Sequence, residues 1–95
     1  MERITDDMLL DLKKAIVSIE SVEECGLFFA DIFTGAEIEQ FAQRLRAAKL
    51  LLEGNTYAQI IALTDISSAT LSRVSNCVRR GAGGYKEVLE KIKKL

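Results

Sequence analysis

An all-α fold of about six helices is what this sequence predicts, on three observations. Apolar residues recur at helical spacing almost throughout, and no stretch shows the alternation of a half-buried strand. The chain contains no proline, so nothing breaks a helix from within. Ser21, Thr34 and Thr56 each stand three positions before Glu24, Glu37 and Gln59. A hydroxyl residue followed three positions later by Glu or Gln is the capping box that opens a helix.

The elements follow in order. A first helix over about residues 5–19 carries Met8, Leu9, Leu12, Ala15, Ile16 and Ile19 as a wide apolar stripe. A second begins after Ser21 and contains Val22, Cys25, Phe28, Phe29 and Ile32. The third and longest, about 35–53, follows Thr34 and presents Ile38, Phe41, Ala42, Leu45, Ala48, Leu51 and Leu52. Gly54 ends it, as glycine does past a helix terminus. A short helix capped by Thr56 and Gln59 places Ile60, Ile61 and Leu63 inward. Thr64-Asp65-Ile66 is a turn, because Asp is one of the few residues besides glycine that tolerates a left-handed conformation. Ser67 caps the next helix, whose Leu71, Val74 and Val78 face the core. Arg80-Gly81-Ala82-Gly83-Gly84 is a hinge; no strand precedes it and no GK[ST] follows, so it is no phosphate loop. A last helix over about 84–94 has Tyr85, Val88, Leu89 and Ile92 on its apolar face.

Ninety-five residues make a single domain, 1–95. It is organised as dimerisation helices (1–53), a two-helix unit (56–79) and a C-terminal helix (84–95). No apolar run approaches the roughly 18 residues of a membrane-spanning helix. The start, MERITDDM, is acidic and unlike a signal peptide, so a cytoplasmic location with no membrane partner is expected. The stripes are wide for so short a chain. Adjacent Phe28 and Phe29, and Leu50, Leu51 and Leu52, point in different directions. Helices apolar over much of their circumference need partners on several sides, and a homodimer sharing its core supplies them.

Chemistry is sparse. There is no histidine, the commonest general base. The two cysteines, Cys25 and Cys77, are too far apart for a CxxC pair, and both sit among apolar residues as small buried side chains. Acidic pairs such as Glu23-Glu24 are neighbours in sequence and do not face each other on a helix. The chain is therefore expected to be no enzyme and to need no metal or cofactor.

Charge is uneven. Residues 1–40 hold ten acids and three bases, net −7, and residues 41–95 hold four acids and ten bases, net +6. Lys91, Lys93 and Lys94 can be put down to the last helix terminus, which leaves Arg73, Arg79 and Arg80 to explain. They lie with the short helix, the turn and the polar helix that follows, a helix-turn-helix whose second member enters the DNA major groove. Paired amphipathic helices also occur in folds that touch no nucleic acid. A helix built only to pack, however, would expose more Ala, Leu, Glu and Lys. This one presents Ser68, Ala69, Thr70, Ser72, Arg73 and Asn76, with Arg79 and Arg80 beyond. Hydroxyl and amide groups bond phosphates and base edges, and Arg is the commonest reader of guanine. With the capping residues Thr56, Gln59 and Ser67, these form the candidate DNA-binding set.

From residue 34 to 95 the sequence resembles the Trp-repressor superfamily, and over its full length the YerC/YecD-type Trp-repressor-related proteins. TGAE (34–37), QRLRAAKLLLEGNTY (43–57) and SATLSRVSN (68–76) carry the resemblance. It implies an intertwined, all-helical homodimer whose paired helix-turn-helices read a palindromic operator in double-stranded DNA. The family's corepressor pocket for tryptophan maps here to Thr34, Arg44, Arg73, Val74 and Cys77. Thr34, Arg44 and Arg73 match its pattern. Val74 replaces the glycine that makes room for the indole, and Cys77 replaces the serine that holds the ligand's amino group. A branched side chain in that space excludes a ring or strains the packing. Ala58 and Ala62 stand where basic and amide residues are expected on the first helix of the pair, and the turn is one residue shorter. The expected function is a sequence-specific transcriptional regulator, a repressor, independent of tryptophan. Two alternatives remain open: a regulator responding to another small corepressor held by Arg44 and Arg73, and a dimeric helical interaction module without DNA binding.

Overall fold

Hydroxyl caps mark the helix starts, and the computed structural model describes how they engage over residues 5–95. Residues 1–4, which carry part of the acidic start, lie outside the described residues. Six helices follow, with no strand among the described residues: α1 (Asp6–Val17), α2 (Val22–Ile32), α3 (Gly35–Leu52), α4 (Tyr57–Thr64), α5 (Ser68–Arg80) and α6 (Gly84–Ile92). The all-α expectation holds. The described chain forms two compact units that divide after Gly35, inside the segment grouped above as 1–53.

The first unit holds α1 and α2. Thr5 Oγ1 accepts from Met8 N–H and opens α1, with Asp6 and Asp7 in the first turn where the helix dipole favours negative charge. Ser21 Oγ accepts from Glu24 N–H at 3.0 Å. The Glu24 carboxylate, however, accepts from Glu20 N–H at 2.9 Å, one residue earlier than a capping box requires. Phe29 and Phe33 meet edge to face at 5.2 Å, a geometry set by the ring quadrupole. Neither helix buries a single residue. Val22 is 84 % exposed and Leu27 74 %.

The second unit contains the core. Ala47, Ala48, Ile60, Ile66, Leu71, Val74 and Leu89 are buried together, with Leu50, Leu51, Ile61, Val78 and Tyr85 packed around them. The two alanines of α3 are fully buried in this core. Three expectations need correction. Leu63 is 68 % exposed; α4 is too short to bury two faces, and Ile60 takes the inward one. Cys77 is exposed, and Cys25 is only half-buried; Cys77 lies beyond the Leu71, Val74, Ser75 face of α5. Much of the expected α3 stripe, including Phe41, Ala42, Leu45 and Leu52, is also exposed within the single chain.

Helix ends are closed locally. Gly54 adopts φ 91° after α3, and Asn55 donates through Nδ2 to the Leu50 carbonyl at 3.0 Å. α5 ends where Gly81 N–H donates to the Cys77 carbonyl at 2.8 Å. A Cβ on Gly81 would collide with that same carbonyl oxygen, and backbone cannot swing aside as a side-chain tip can. Gly81→Ala is therefore expected to destabilise the protein by about 1–3 kcal/mol, read as a lower urea midpoint with an unchanged slope.

Candidate nucleic-acid interface

α4, the turn and α5 are each held by bonds that this sequence supplies. At the start of α4 the capping box is complete: Gln59 N–H donates to Thr56 Oγ1 at 3.2 Å, and Thr56 N–H donates to Gln59 Oε1 at 2.8 Å. These two side chains are spent on the helix start, which leaves the Gln59 amide nitrogen as a group still able to reach outward. At the other end the Thr64 hydroxyl donates to the Ile60 carbonyl at 2.7 Å and accepts from Ile66 N–H at 3.2 Å. Asp65 sits between them at φ 60°, the left-handed conformation the turn needs. Ile66 is buried in the core and anchors the turn from below.

Ser67 starts α5. Its Oγ accepts from Thr70 N–H at 3.1 Å and donates to Thr70 Oγ1 at 2.9 Å. Thr70 is accordingly half-buried, and its hydroxyl is already engaged. Beyond it the helix has two clear faces. Leu71, Val74 and Ser75 are buried. Ser67, Ser68, Ala69, Ser72, Arg73, Asn76, Arg79 and Arg80 are exposed. The helix contains three arginines and no acid, so its outer face is a polar, cationic surface from end to end. Arg79 and Arg80 in the last turn also suit the negative end of the helix dipole.

The positions matched to a corepressor pocket fall in both units. Val74 is 3 % exposed and part of the core. Arg73 and Cys77 are exposed on the same helix. Arg44 is half-buried, with its guanidinium 5.7 Å from the centre of the Phe41 ring, a cation–π contact. Thr34 belongs to the first unit and is exposed there. Among the described residues no cluster of His, Cys, Asp and Glu could hold a metal ion, and no helix is long and apolar enough to cross a membrane.

One residue escaped the sequence reading. Gln43 Nε2 donates to the Thr64 carbonyl at 3.1 Å, across 21 positions. Its signals were an amide beside Ala42, on a helix otherwise read for its apolar stripe, and its place at the head of the 43–57 motif.

The family model described as Trp repressor protein matches residues 7–93. The chain is 40 % identical over 93 residues to the uncharacterized protein YerC of Bacillus subtilis (strain 168), covering 98 % of this chain and 89 % of YerC. Two crystal structures share the fold. One is a Staphylococcus aureus protein provisionally described as a Trp repressor, with TM-score 0.90, 37 % identity, and coverage of 94 % of this chain and 89 % of that one. The other is a TrpR-like protein from Eubacterium eligens ATCC 27750, with TM-score 0.88, 37 % identity, and coverage of 96 % and 93 %. A match over nearly the whole chain, with the helix-turn-helix in place, means that this protein belongs to the Trp repressor family of DNA-binding regulators.

Proposed function

We propose that this protein is a dimeric, sequence-specific transcriptional regulator that reads a palindromic operator through α4 and α5, acts as a repressor, and does so without tryptophan. The observation that carries this reading is the division of α5 into a buried apolar face and an exposed face of hydroxyls, an amide and three arginines. Membership of a family of regulators supports it and speaks against an enzyme. The half of the chain that bears α5 is also the basic half, which favours the approach of phosphate.

Dimerisation is supported by what each helix leaves uncovered. Met8, Leu9, Leu10, Ile16, Val22 and Leu27 are exposed on α1 and α2, and Phe41, Leu45 and Leu52 on α3. Apolar exposure on this scale marks an interaction surface. Sedimentation equilibrium at micromolar concentration is expected to return twice the chain mass. Phe41 is 43 % exposed within one chain, so Phe41→Asp should act chiefly on assembly, shifting the mass toward monomer.

Tryptophan independence rests on Val74, whose side chain fills core space that an indole would need. Calorimetric titration with tryptophan is expected to show no micromolar binding. Val74→Gly is the change expected to open a cavity there, at a cost of about 2–4 kcal/mol in stability.

DNA reading separates into two terms. Arg80, at the far end of α5, is assigned to phosphate. Arg80→Ala should weaken binding to every sequence alike and lower the salt slope by roughly one ion. Ser72 is exposed and free of the bond that ties Thr70 to Ser67. Ser72→Ala should cost about 1–3 kcal/mol at a selected site and little on random DNA. Anisotropy titrations over a salt series measure both. Equal losses on random and selected DNA would remove α5 from base reading, and no salt-dependent duplex binding at all would leave a helical interaction module.

A further inference from the structure

The helix-turn-helix is joined to α3 across a cleft. Glu39, Ala42, Gln43 and Arg46 of α3 line one side, and Leu63, Thr64 and Asp65 line the other, around a space of about 450 Å³. The exposed Leu63 and Ala42 do not close it. One hydrogen bond bridges it, from Gln43 Nε2 to the Thr64 carbonyl. That carbonyl ends α4, where helix carbonyls lack partners within the helix. The same residue's hydroxyl closes the turn through the Ile60 carbonyl and Ile66 N–H. Gln43 therefore grips the point from which the turn, and α5 after it, is aimed.

We propose that Gln43 is a positioning residue for DNA reading: it fixes the angle between α3 and the helix-turn-helix, and through it the separation of the two reading helices in the dimer. The proposal rests on the DNA-binding, dimeric reading above. The geometry explains why one bond matters. α5 has 13 residues and is about 20 Å long. A pivot of about 10° at its near end moves its far end by about 3.4 Å, one base-pair rise. Half-site spacing is set by the distance between the two reading helices, so slack of this size blurs the register by a whole base pair. Packing against the core limits α4 and α5 from the side of Ile60, Ile66 and Leu71. On the cleft side the amide is the polar tie that opposes such a pivot.

The test is a spacing profile. Palindromic duplexes built from the selected half-site, with the central spacer lengthened or shortened in single base-pair steps, are titrated with the parent protein, Gln43→Met and Gln43→Glu. The first variant keeps the length of the side chain without a donor, and the second keeps its shape and polarity with a carboxylate that cannot donate. The parent is expected to lose affinity on the order of tenfold or more for each step away from its preferred spacing. Both variants should flatten that profile to a few-fold per step, with unchanged affinity for random DNA and an unfolding temperature close to the parent's. A uniform loss at every spacing, an unchanged profile, or failure of both variants to fold would each overturn the positioning role and make the bond merely structural. A parent protein with no spacing preference, or no binding to duplex DNA, would overturn the dimeric DNA-reading function itself, and this role with it.

Discussion

The burial of Ile66 constrains everything that follows it in the chain. A turn is ordinarily a surface feature whose residues face water, yet here the residue between Asp65 and Ser67 lies in the core beside Ile60, Leu71 and the two alanines of α3. Only a sharp, left-handed step at Asp65 can bring the backbone down there and up again within so few residues. The Thr64 hydroxyl makes that descent affordable in hydrogen bonds, donating to Ile60 and accepting from Ile66. Ser67 Oγ then accepts from Thr70 N–H in the first turn of α5. Because the apolar anchor lies under the turn, the start of α5 is fixed in both position and direction, and the exposed row from Ser68 to Arg80 inherits that direction.

Charge and packing are divided along the chain for related reasons. The exposed face of α5 carries hydroxyls and arginines that form no core, and the helix buries only Leu71, Val74 and Ser75. The remaining apolar residues must be covered by something else. α1 and α2 bury none of theirs, and they lie within residues 1–40, which hold ten acids and three bases, net −7. The half of the sequence that bears α5 is net +6, in a protein whose total charge is only −1. Net charge alone would have argued against a nucleic-acid partner; its distribution argues for one.

Local signals were the legible part of the fold. The Thr56–Gln59 capping box, the Ser67 cap, the left-handed Asp65 and the terminal Gly54 each depend on a few neighbouring residues, and each is visible in a single sequence. Burial was less legible, because it depends on what lies opposite. Leu63 and Cys77 fit an inward pattern by spacing, yet both are exposed, since α4 and α5 have core on one side only. Ala47 is fully buried but was invisible in a stripe read through the larger residues Leu45 and Leu51. Gln43 was invisible for a different reason. Its partner lies 21 positions away, and no local pattern in the chain announces a bond of that range.

In the proposed function, Val74 is where one side chain would link stability to function. In this sequence the resemblance to the Trp-repressor superfamily matches a ligand-binding arginine to Arg73 and a space-making glycine to the next residue. Glycine inside a helix is destabilising by roughly 0.5–1 kcal/mol relative to alanine, and an unfilled space beside it loses contacts on every wall. A protein with such a gap is completed only when a ligand occupies it, and a ligand that binds only the folded state then stabilises it. Valine at this position fills the space with the chain itself, and its side chain joins the core with Leu71 and Leu89. The start of α5 is already fixed by Ile66 and Ser67, and the proposed independence of a corepressor rests on this core being closed at Val74. Arg44, turned onto the Phe41 ring, fits the same account: its cation already has a partner within α3.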